Sequence, residues 1–159
     1  MEDEAAFVAA HRAMAAEEFP FGLDYAEGML WSEYRDMLEV QRRGVDLPAD
    51  RVPATFLVAD VGGQIVGRTS IRHELNEFLA REGGHIGYGV VEEHRRRGYA
   101  TKILRDSLVI ARAVGVDRVL VTCDEGNVGS ATVIERCGGR FESLVETEGR
   151  PAIRRFWID

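Results

Sequence analysis

The chain has 159 residues, about the size of one globular domain. Hydrophobic residues make up 45% of it and charged residues 30%, a balance that excludes disordered, collagen-like and disulfide-stapled small proteins. Twenty Lys and Arg residues against 27 Asp and Glu residues give a formal net charge of -7. This charge repels a phosphate backbone, so we expect no nucleic-acid partner.

The sequence also carries no signal for export or membrane insertion. The N-terminus is acidic where a signal peptide would be basic, and no apolar run reaches the roughly 18 residues of a membrane helix. The two cysteines, Cys123 and Cys137, lack the C-x-x-C spacing, which indicates reduced thiols. We therefore expect a cytoplasmic protein with no membrane partner.

The N-terminal part, residues 1–45, is predicted to be helical. Apolar residues recur at three- and four-residue spacings over residues 4–18 and again over residues 25–43, as in amphipathic helices. Pro20 follows the first helix and Gly44 the second, and both residue types are common beyond helix ends.

The second part, residues 54–159, is predicted to be a sheet with two helices, so that residues 1–159 form one α+β domain. It opens with a β-hairpin, because Gly62 and Gly63 stand between the strand-like residues 55–60 and 65–71. The predicted segments that follow are the surface loop 74–84, strand 85–91, helix 98–115, strand 118–123, short helix 130–137, and strands 141–146 and 153–158.

Several common catalytic motifs are missing from the chain. It has no P-loop, no dinucleotide-binding G-x-G-x-x-G after a strand, and no G-x-S-x-G nucleophile elbow. The nearest approach to the H-E-x-x-H zinc motif is at residues 73–77, where Glu77 replaces the second His. We therefore expect no metal.

The junction at residues 89–100 is the strongest candidate for a ligand site. A strand leads into Arg95, Arg96 and Arg97, and Gly98 then opens a helix. Unpaired backbone N–H groups and the positive end of the helix dipole converge there, an arrangement that binds phosphate. From these residues alone, a solvated arginine run beside a helix cap remains an alternative.

Two motifs that follow one another along the chain indicate a function for the junction. R-x-x-G-x-A at residues 95–100 resembles the signature of the GNAT family, the Gcn5-related N-acetyltransferases. Asn127 followed by a short helix ending at Gly138 resembles that family's second motif. The resemblance covers residues 55–158, and the GGHIGY and CDEGN segments are similar to a bacterial subgroup of predicted acetyltransferases. It implies a GNAT-like fold with a mixed, mostly antiparallel sheet, and acetyl transfer from acetyl-CoA directly to a primary amine.

The resemblance also implies which residues contact acetyl-CoA. Backbone amides of the loop and the helix start would hold the pyrophosphate, two strand residues would pair with the pantetheine arm, and two residues near the second helix would line that arm. The corresponding residues are, in that order, Arg95, Arg96, Arg97, Gly98, Tyr99, Ala100 and Thr101; Gly89 and Val91; Asn127 and Ser130. For Asn127 an ordinary turn or cap role remains open.

The catalytic residues implied are His85 and Tyr88. His85 stands where some family members place a proton-accepting Glu or His, and its reference pKa near 6.5 suits that role. Tyr88 is expected to relay or donate a proton. The alternative is that His85 bonds to the 83–84 turn and Tyr88 packs in the core. Glu74 and Asn76 are weaker candidates for contacting the acceptor.

This sequence departs from the family pattern at two points. Many members carry a Tyr that acts as general acid on the second-motif helix, where this chain has Ile134. The family's first strand is also missing from the predicted elements. The functional alternative is therefore a catalytically silent acyl-CoA sensor or interaction module. An acyl intermediate on Cys123 has no evident activating base. The acceptor, a small molecule or peptide, stays open, and the final strands make a homodimer a candidate.

Overall fold

The computed structural model describes residues 2–159. Four α-helices and six strands alternate much as the sequence predicts, with a π-helical turn at Leu79–Gly83 and a 3-10 turn at Glu92–His94. In chain order the elements are α1 (Glu2–Ala15), α2 (Trp31–Arg43), β1 (Ala54–Val61), β2 (Gln64–Arg72), β3 (Ile86–Val90), α3 (Tyr99–Ala113), β4 (Val119–Asp124), α4 (Val128–Arg136), β5 (Arg140–Val145) and β6 (Ile153–Ile158).

The six strands form one sheet in the order β1-β2-β3-β4-β6-β5. Every neighbouring pair is antiparallel except β3 and β4, which are parallel. This arrangement confirms the predicted mixed, mostly antiparallel sheet with flanking helices. It also places the one parallel pair in the middle of the sheet, beside the predicted ligand-binding junction.

The β1–β2 hairpin forms for the reason its sequence suggests. Gly62 and Gly63 adopt φ angles of 63° and 83°, the left-handed conformation that a tight hairpin turn requires at both central positions. The Asp60 carboxylate accepts a hydrogen bond from Gly63 N–H at 3.1 Å. Tight turn and side-chain bond together fix the register of the two strands.

Two predicted segments differ from the structure. The helix expected over residues 25–43 begins only at Trp31, because Gly28 adopts a φ of 87° and the chain before it runs through turns. The loop expected over residues 74–84 contains the π-helical turn, whose first N–H, from Leu79, is bound by Asn76 Oδ1 at 2.9 Å.

Two clusters of buried side chains cover the two faces of the sheet. On one face α3 and α4 pack through residues such as Leu104, Leu108 and Ile134, against Val121 and Phe156 of the strands. On the other face α1 and α2 contribute an aromatic cluster. Its buried members are Phe7, Ala10, Met14, Phe21, Tyr34, Ile65 and Val91.

The helices described between residues 2 and 159 are too short or too polar to span a membrane. Within residues 2–159 the first element is α1, and no strand precedes it there.

Candidate functional site

The parallel pairing of β3 with β4 consists of one pair, Ile86 with Val121. Beyond Ile86 the edge of β3 that faces β4 has no strand partner. Val91 N–H donates to Val66 at 3.0 Å, and Arg72 N–H donates to His85 C=O at 2.8 Å, so the odd-numbered β3 residues bond to β2. Backbone alternation therefore turns the N–H and C=O groups of the even-numbered residues into the gap.

In this register the unpaired backbone edge is one residue out of step with the residues expected to contact pantetheine. Gly89 and Val91 are the residues expected to offer backbone groups, but Val91 N–H is bound by Val66 and its C=O accepts from His94 N–H at 2.9 Å. The backbone edge that faces the gap belongs to Tyr88 and Val90 instead.

The loop after β3 has the backbone conformation of an anion site. Arg96 and Gly98 adopt φ angles of 63° and 84°, and such left-handed residues turn successive N–H groups toward one point. The first helical bond of α3 runs from Lys102 N–H to Gly98 C=O at 3.1 Å, so the amides of residues 99–101 precede it. A Cβ added at Gly98 would meet nothing within 4 Å, which leaves the space above these amides open.

The three consecutive arginines occupy different environments. The Arg95 side chain is held by two hydrogen bonds: its Nε donates to Val90 C=O at 3.0 Å and its Nη2 donates to the Glu17 carboxylate at 2.6 Å. These bonds connect the loop to β3 and to the end of α1. Arg96 lines the cavity beside the loop, whereas Arg97 does not.

A cavity of about 820 Å³ joins the unpaired edge of β3, the start of α3 and the start of α4. Ten residues predicted from the sequence line it, and ten others complete the lining. The expected ones are Tyr88, Gly89, Arg95, Arg96, Gly98, Tyr99, Ala100, Thr101, Asn127 and Ser130. The others are Met14, Glu17, Phe19, Val90, His94, Val128, Gly129, Thr132, Val133 and Arg136.

Some of the cavity-lining residues that were not predicted share a recognisable spacing in the sequence. Gly129, Thr132, Val133 and Arg136 follow the three- and four-residue spacing of one helix face, so a helical projection of α4 groups them together. Met14, Glu17 and Phe19 have no such signal, because they reach the cavity only through the packing of α1 against the sheet.

Tyr88 and Ser130 form a hydroxyl pair in this cavity. The Tyr88 Oη lies 2.9 Å from Ser130 Oγ. Burial raises the pKa of Tyr88 to about 12, so this phenol keeps its proton at neutral pH. Asn127 caps α4, its Oδ1 accepting from Ser130 N–H at 3.0 Å, and so holds Ser130 in place. The capping role and the cavity-lining position of Asn127 therefore coexist.

His85 lies outside the cavity lining, on the side of β3 away from α3. Its Nδ1 accepts a hydrogen bond from Leu120 N–H at 2.9 Å, and its ring centroid lies 6.4 Å from that of Trp157. Burial and the neighbouring charge of Arg72 lower the pKa of His85, which favours the neutral ring. A neutral ring that accepts at Nδ1 carries its proton on Nε2.

Glu74 and Asn76 do not line the cavity either. Asn76 is engaged at both ends of its amide: its Nδ2 donates to Asp50 C=O at 3.0 Å, while its Oδ1 holds the π-helical turn at Leu79. Glu74 is exposed. Their role in contacting an acceptor stays a prediction.

Ile134 and Cys123 both belong to the core beneath α3 and α4. Ile134 is 0% exposed and does not border the cavity. Burial raises the pKa of the Cys123 thiol, which disfavours the thiolate that nucleophilic chemistry needs. Over residues 2–159, no cluster of three His, Cys, Asp or Glu side chains could hold a metal ion.

Comparison with protein families agrees with the geometry. The profile of the family described as "Acetyltransferase (GNAT) domain" matches residues 2–140 of this chain. No curated protein matches the chain.

Solved structures share the fold at low sequence identity. An N-acetyltransferase from Staphylococcus aureus Mu50 is 14% identical with a TM-score of 0.67, over 99% of this chain and 93% of its own. RimJ of Mycobacterium smegmatis, solved with CoA-disulfide, is 23% identical with a TM-score of 0.69, over 98% and 77%. The putative acetyltransferase yncA of Salmonella typhimurium, solved with acetyl-CoA, is 12% identical with a TM-score of 0.64, over 97% and 87%.

Proposed function

Because the chain belongs to the GNAT acetyltransferase family, we propose that it transfers the acetyl group of acetyl-CoA directly to a primary amine of a small molecule or peptide. One observation carries the proposal: three features share one cavity. They are a loop with the backbone conformation of an anion site, an unpaired strand edge, and the protonated Tyr88 hydroxyl in contact with Ser130. The structures of the Salmonella and Mycobacterium proteins, solved with acetyl-CoA and CoA-disulfide, support acetyl-CoA as the donor.

The residues of the cavity fit the parts of acetyl-CoA. The amides of residues 96–101 would bind the pyrophosphate, and Arg96 and Arg136, which also line the cavity, would add positive charge. The backbone groups of Tyr88 and the N–H of Val90 would extend the sheet by pairing with the amides of pantetheine, whereas Val90 C=O already accepts from Arg95 Nε. Gly98 has to remain without a side chain, because phosphate would fill the space above it.

The hydroxyl pair would assist the departure of the thiol. The amine nitrogen attacks the thioester carbonyl carbon, the C–S bond breaks, and the sulfur takes a proton. Tyr88, which keeps its proton and lies against Ser130, is the donor that the cavity offers. A thiol is a tolerable leaving group at neutral pH, so this donor would accelerate the step and would not be indispensable.

That His85 accepts the proton of the amine remains our prediction. The neutral ring is favoured at pH 7, as a base requires. Its one free electron pair, on Nδ1, is bound to Leu120 N–H. Accepting a proton there therefore requires this bond to break in each turnover, unless the amine reaches the site already deprotonated. A pH profile separates the two cases.

A catalytically silent acyl-CoA-binding module is the second candidate. It is favoured by the buried side chain of Ile134, at the position where many family members carry a Tyr. The two candidates share CoA binding and differ in turnover, so a binding measurement alone cannot separate them.

The test is release of free CoA thiol from acetyl-CoA in the presence of amino acids, polyamines, aminoglycosides and peptides. Acetyl transfer predicts release that depends on one class of amine and falls in the Tyr88→Phe variant. Stabilisation by acetyl-CoA without release across the whole panel would establish the silent module instead.

We also propose a cytoplasmic location and a homodimer. Cys123 and Cys137 are both free thiols, which supports a reducing compartment. β5 is an edge strand of the sheet, and its Phe141 and Leu144 are 58% and 40% exposed, as in a strand that another subunit covers. Light scattering of the wild type and of Phe141→Glu tests the dimer.

A further inference from the structure

Two arginines lie side by side on the sheet face opposite α3. Thr69 of β2 points toward α3, since its Oγ1 accepts a hydrogen bond from the Ser107 hydroxyl at 2.9 Å. Side chains alternate along a strand, so Arg68, Ser70 and Arg72 point to the other face. The register pairs Arg68 and Ser70 with Gly89 and Gly87 of β3, and Arg72 N–H donates to His85 C=O just before β3. We call these three β2 residues the arginine face.

The arginines of this face have no carboxylate partner. Arg68 is 4% exposed and donates to Gly87 C=O at 3.1 Å and to Pro20 C=O at 2.9 Å. Arg72, partly buried, donates to the carbonyls of the 83–84 turn at 3.1 and 3.3 Å. Neither guanidinium takes part in an ion pair among the described residues. All the acceptors are neutral, although charged acceptors bind a guanidinium more strongly.

Two buried polar atoms nearby have no partner at all. They are Arg68 Nε and the Tyr34 hydroxyl, and Tyr34 is 0% exposed. Burial, with the charge of Arg72 added, lowers the pKa of Arg68 to about 10. Unpartnered buried donors and adjacent like charges both destabilise a fold, so they indicate a site whose partner is a ligand.

Gly87 leaves open a position between the two guanidiniums. A Cβ there would lie 3.3 Å from Arg72 Nη1 and 3.7 Å from Arg68 Nη1, and the residue is partly exposed. The next residue, Tyr88, lines the cavity. A small anion above Gly87 would thus contact both arginines on the sheet face opposite the Tyr88 side chain. It would lie about two residue rises, roughly 7 Å, from Gly89, which lines the cavity and belongs to the same face as Gly87.

We propose that Arg68 and Arg72 bind a carboxylate of the amine acceptor, so that the acceptor is an amino acid or a related small amine bearing a carboxylate. This inference rests on the proposed function. The planar guanidinium matches the two oxygens of a carboxylate, and here each of two guanidiniums can reach one oxygen. The Pro20 carbonyl and the Phe19 ring, 4.6 Å from the Arg68 guanidinium, border the site from the α1–α2 connector.

The first experiment compares matched acceptors. The twenty standard amino acids, their α-amides and 2-aminoethylphosphonate are assayed for CoA thiol release at saturating acetyl-CoA, and their binding to the CoA-loaded protein is measured by calorimetry. We expect kcat/KM for at least one acid to exceed that of its amide roughly tenfold to a hundredfold. The amide amine is the less basic and so the more deprotonated, which rules out amine reactivity as the cause.

The variants Arg72→Gln and Gly87→Ala locate the effect. Both should raise KM for the acid roughly tenfold or more, with little change for the amide and with unchanged stabilisation by acetyl-CoA. Gly87→Ala keeps both charges and only fills the space between them. The control is Arg155→Gln, which removes a partly buried guanidinium whose Nε also has no partner but whose Nη1 pairs with the Glu142 carboxylate at 2.7 Å.

The outcomes separate this inference from the proposed function. Equal use of acids and amides, or an acid preference that persists in both variants, overturns the carboxylate site while acetyl transfer stands. A preference for the phosphonate over every carboxylate also overturns it. If acids bind in calorimetry and no amine releases thiol, the carboxylate site stands and acetyl transfer fails.

Discussion

The Tyr88 hydroxyl lies 2.9 Å from Ser130 Oγ, so that β3 and α4 are joined by a hydrogen bond across the cavity. Ser130 is in turn held by Asn127, whose side chain caps the same helix. This chain of contacts puts a protonated phenol at the point where strand, helix and unpaired backbone edge meet. The hydroxyl that the sequence lacks at Ile134 is thus offered from another element.

The first prediction concerns this pair. Tyr88→Phe removes the proton donor and should lower kcat roughly 10²- to 10⁴-fold, while acetyl-CoA binding stays close to wild type. Ser130→Ala should reduce kcat less, because the phenol remains. Single-turnover kinetics with calorimetric binding of acetyl-CoA provides the check, and an unchanged kcat in Tyr88→Phe would remove the residue from the mechanism.

The second prediction uses the two ends of α3. Gly98 and Gly115 adopt φ angles of 84° and 94°, and a Cβ at either would meet nothing within 4 Å. Gly98→Val and Gly115→Val should therefore cost similar backbone strain, about 1–3 kcal/mol. At 100 times its dissociation constant, acetyl-CoA should add about 2.7 kcal/mol to wild type and Gly115→Val, but little to Gly98→Val.

Thermal unfolding with and without acetyl-CoA measures both effects. An equal ligand-induced shift in the two glycine variants would mean that the phosphates bind elsewhere.

The third prediction follows from the lowered pKa of His85, caused first by burial and then by Arg72. Between this pKa and the ordinary value near 6.5, the unfolded state binds more protons, so stability is lost as pH falls below about 6.5. His85→Asn keeps an acceptor near Leu120 N–H and removes the titration. Urea unfolding between about pH 5 and pH 8 should show a shallower acid loss in the variant.

The same variant tests catalysis by His85. If His85 accepts the proton of the amine, the acidic limb of the kcat/KM profile disappears in His85→Asn. Persistence of that limb, together with the flatter stability profile, would leave His85 with the structural role alone.

The fourth prediction concerns Ile134→Tyr. The Ile134 side chain is fully buried, and its Cγ2 lies 2.4 Å from where a Cβ of Gly139 would stand. A larger ring has no room, so we expect a loss of about 1–3 kcal/mol in unfolding free energy and no gain in turnover. Ile134→Val, the matched small change, should cost about 0.5–1.5 kcal/mol. A faster enzyme of normal stability would contradict this placement.

The sequence was most informative where structure depends on neighbouring residues. The hairpin turn at Gly62 and Gly63 and the loop before α3 were both predictable, since each needs a glycine at a left-handed position. The final strand, Ile153–Ile158, was predicted with its observed bounds. The GNAT resemblance of two short motifs supplied the mixed, mostly antiparallel character of the sheet, which no local pattern contains.

Predictions failed where distant contacts decide. Tyr25 and Met29 follow helical spacing, yet they pack against the aromatic cluster from a turn, because burial against Phe7 outweighs local helix preference. Arg68 gave no signal of burial, since a charged residue in a strand is ordinarily expected at the surface. Its position depends on the β2–β3 register and on Pro20, 48 residues away in sequence.

The single pairing of Ile86 with Val121 leaves unpaired backbone amides at the centre of this sheet as well as at its edges. In most sheets the amides of central strands exchange with solvent only on global unfolding. Here the N–H groups of Tyr88 and Val90 should exchange early although two strands lie on one side of β3 and three on the other. Filling of the gap should slow them more than any other strand amide. The deuterium content of these two amides would thus report occupancy directly, even with no acceptor in hand.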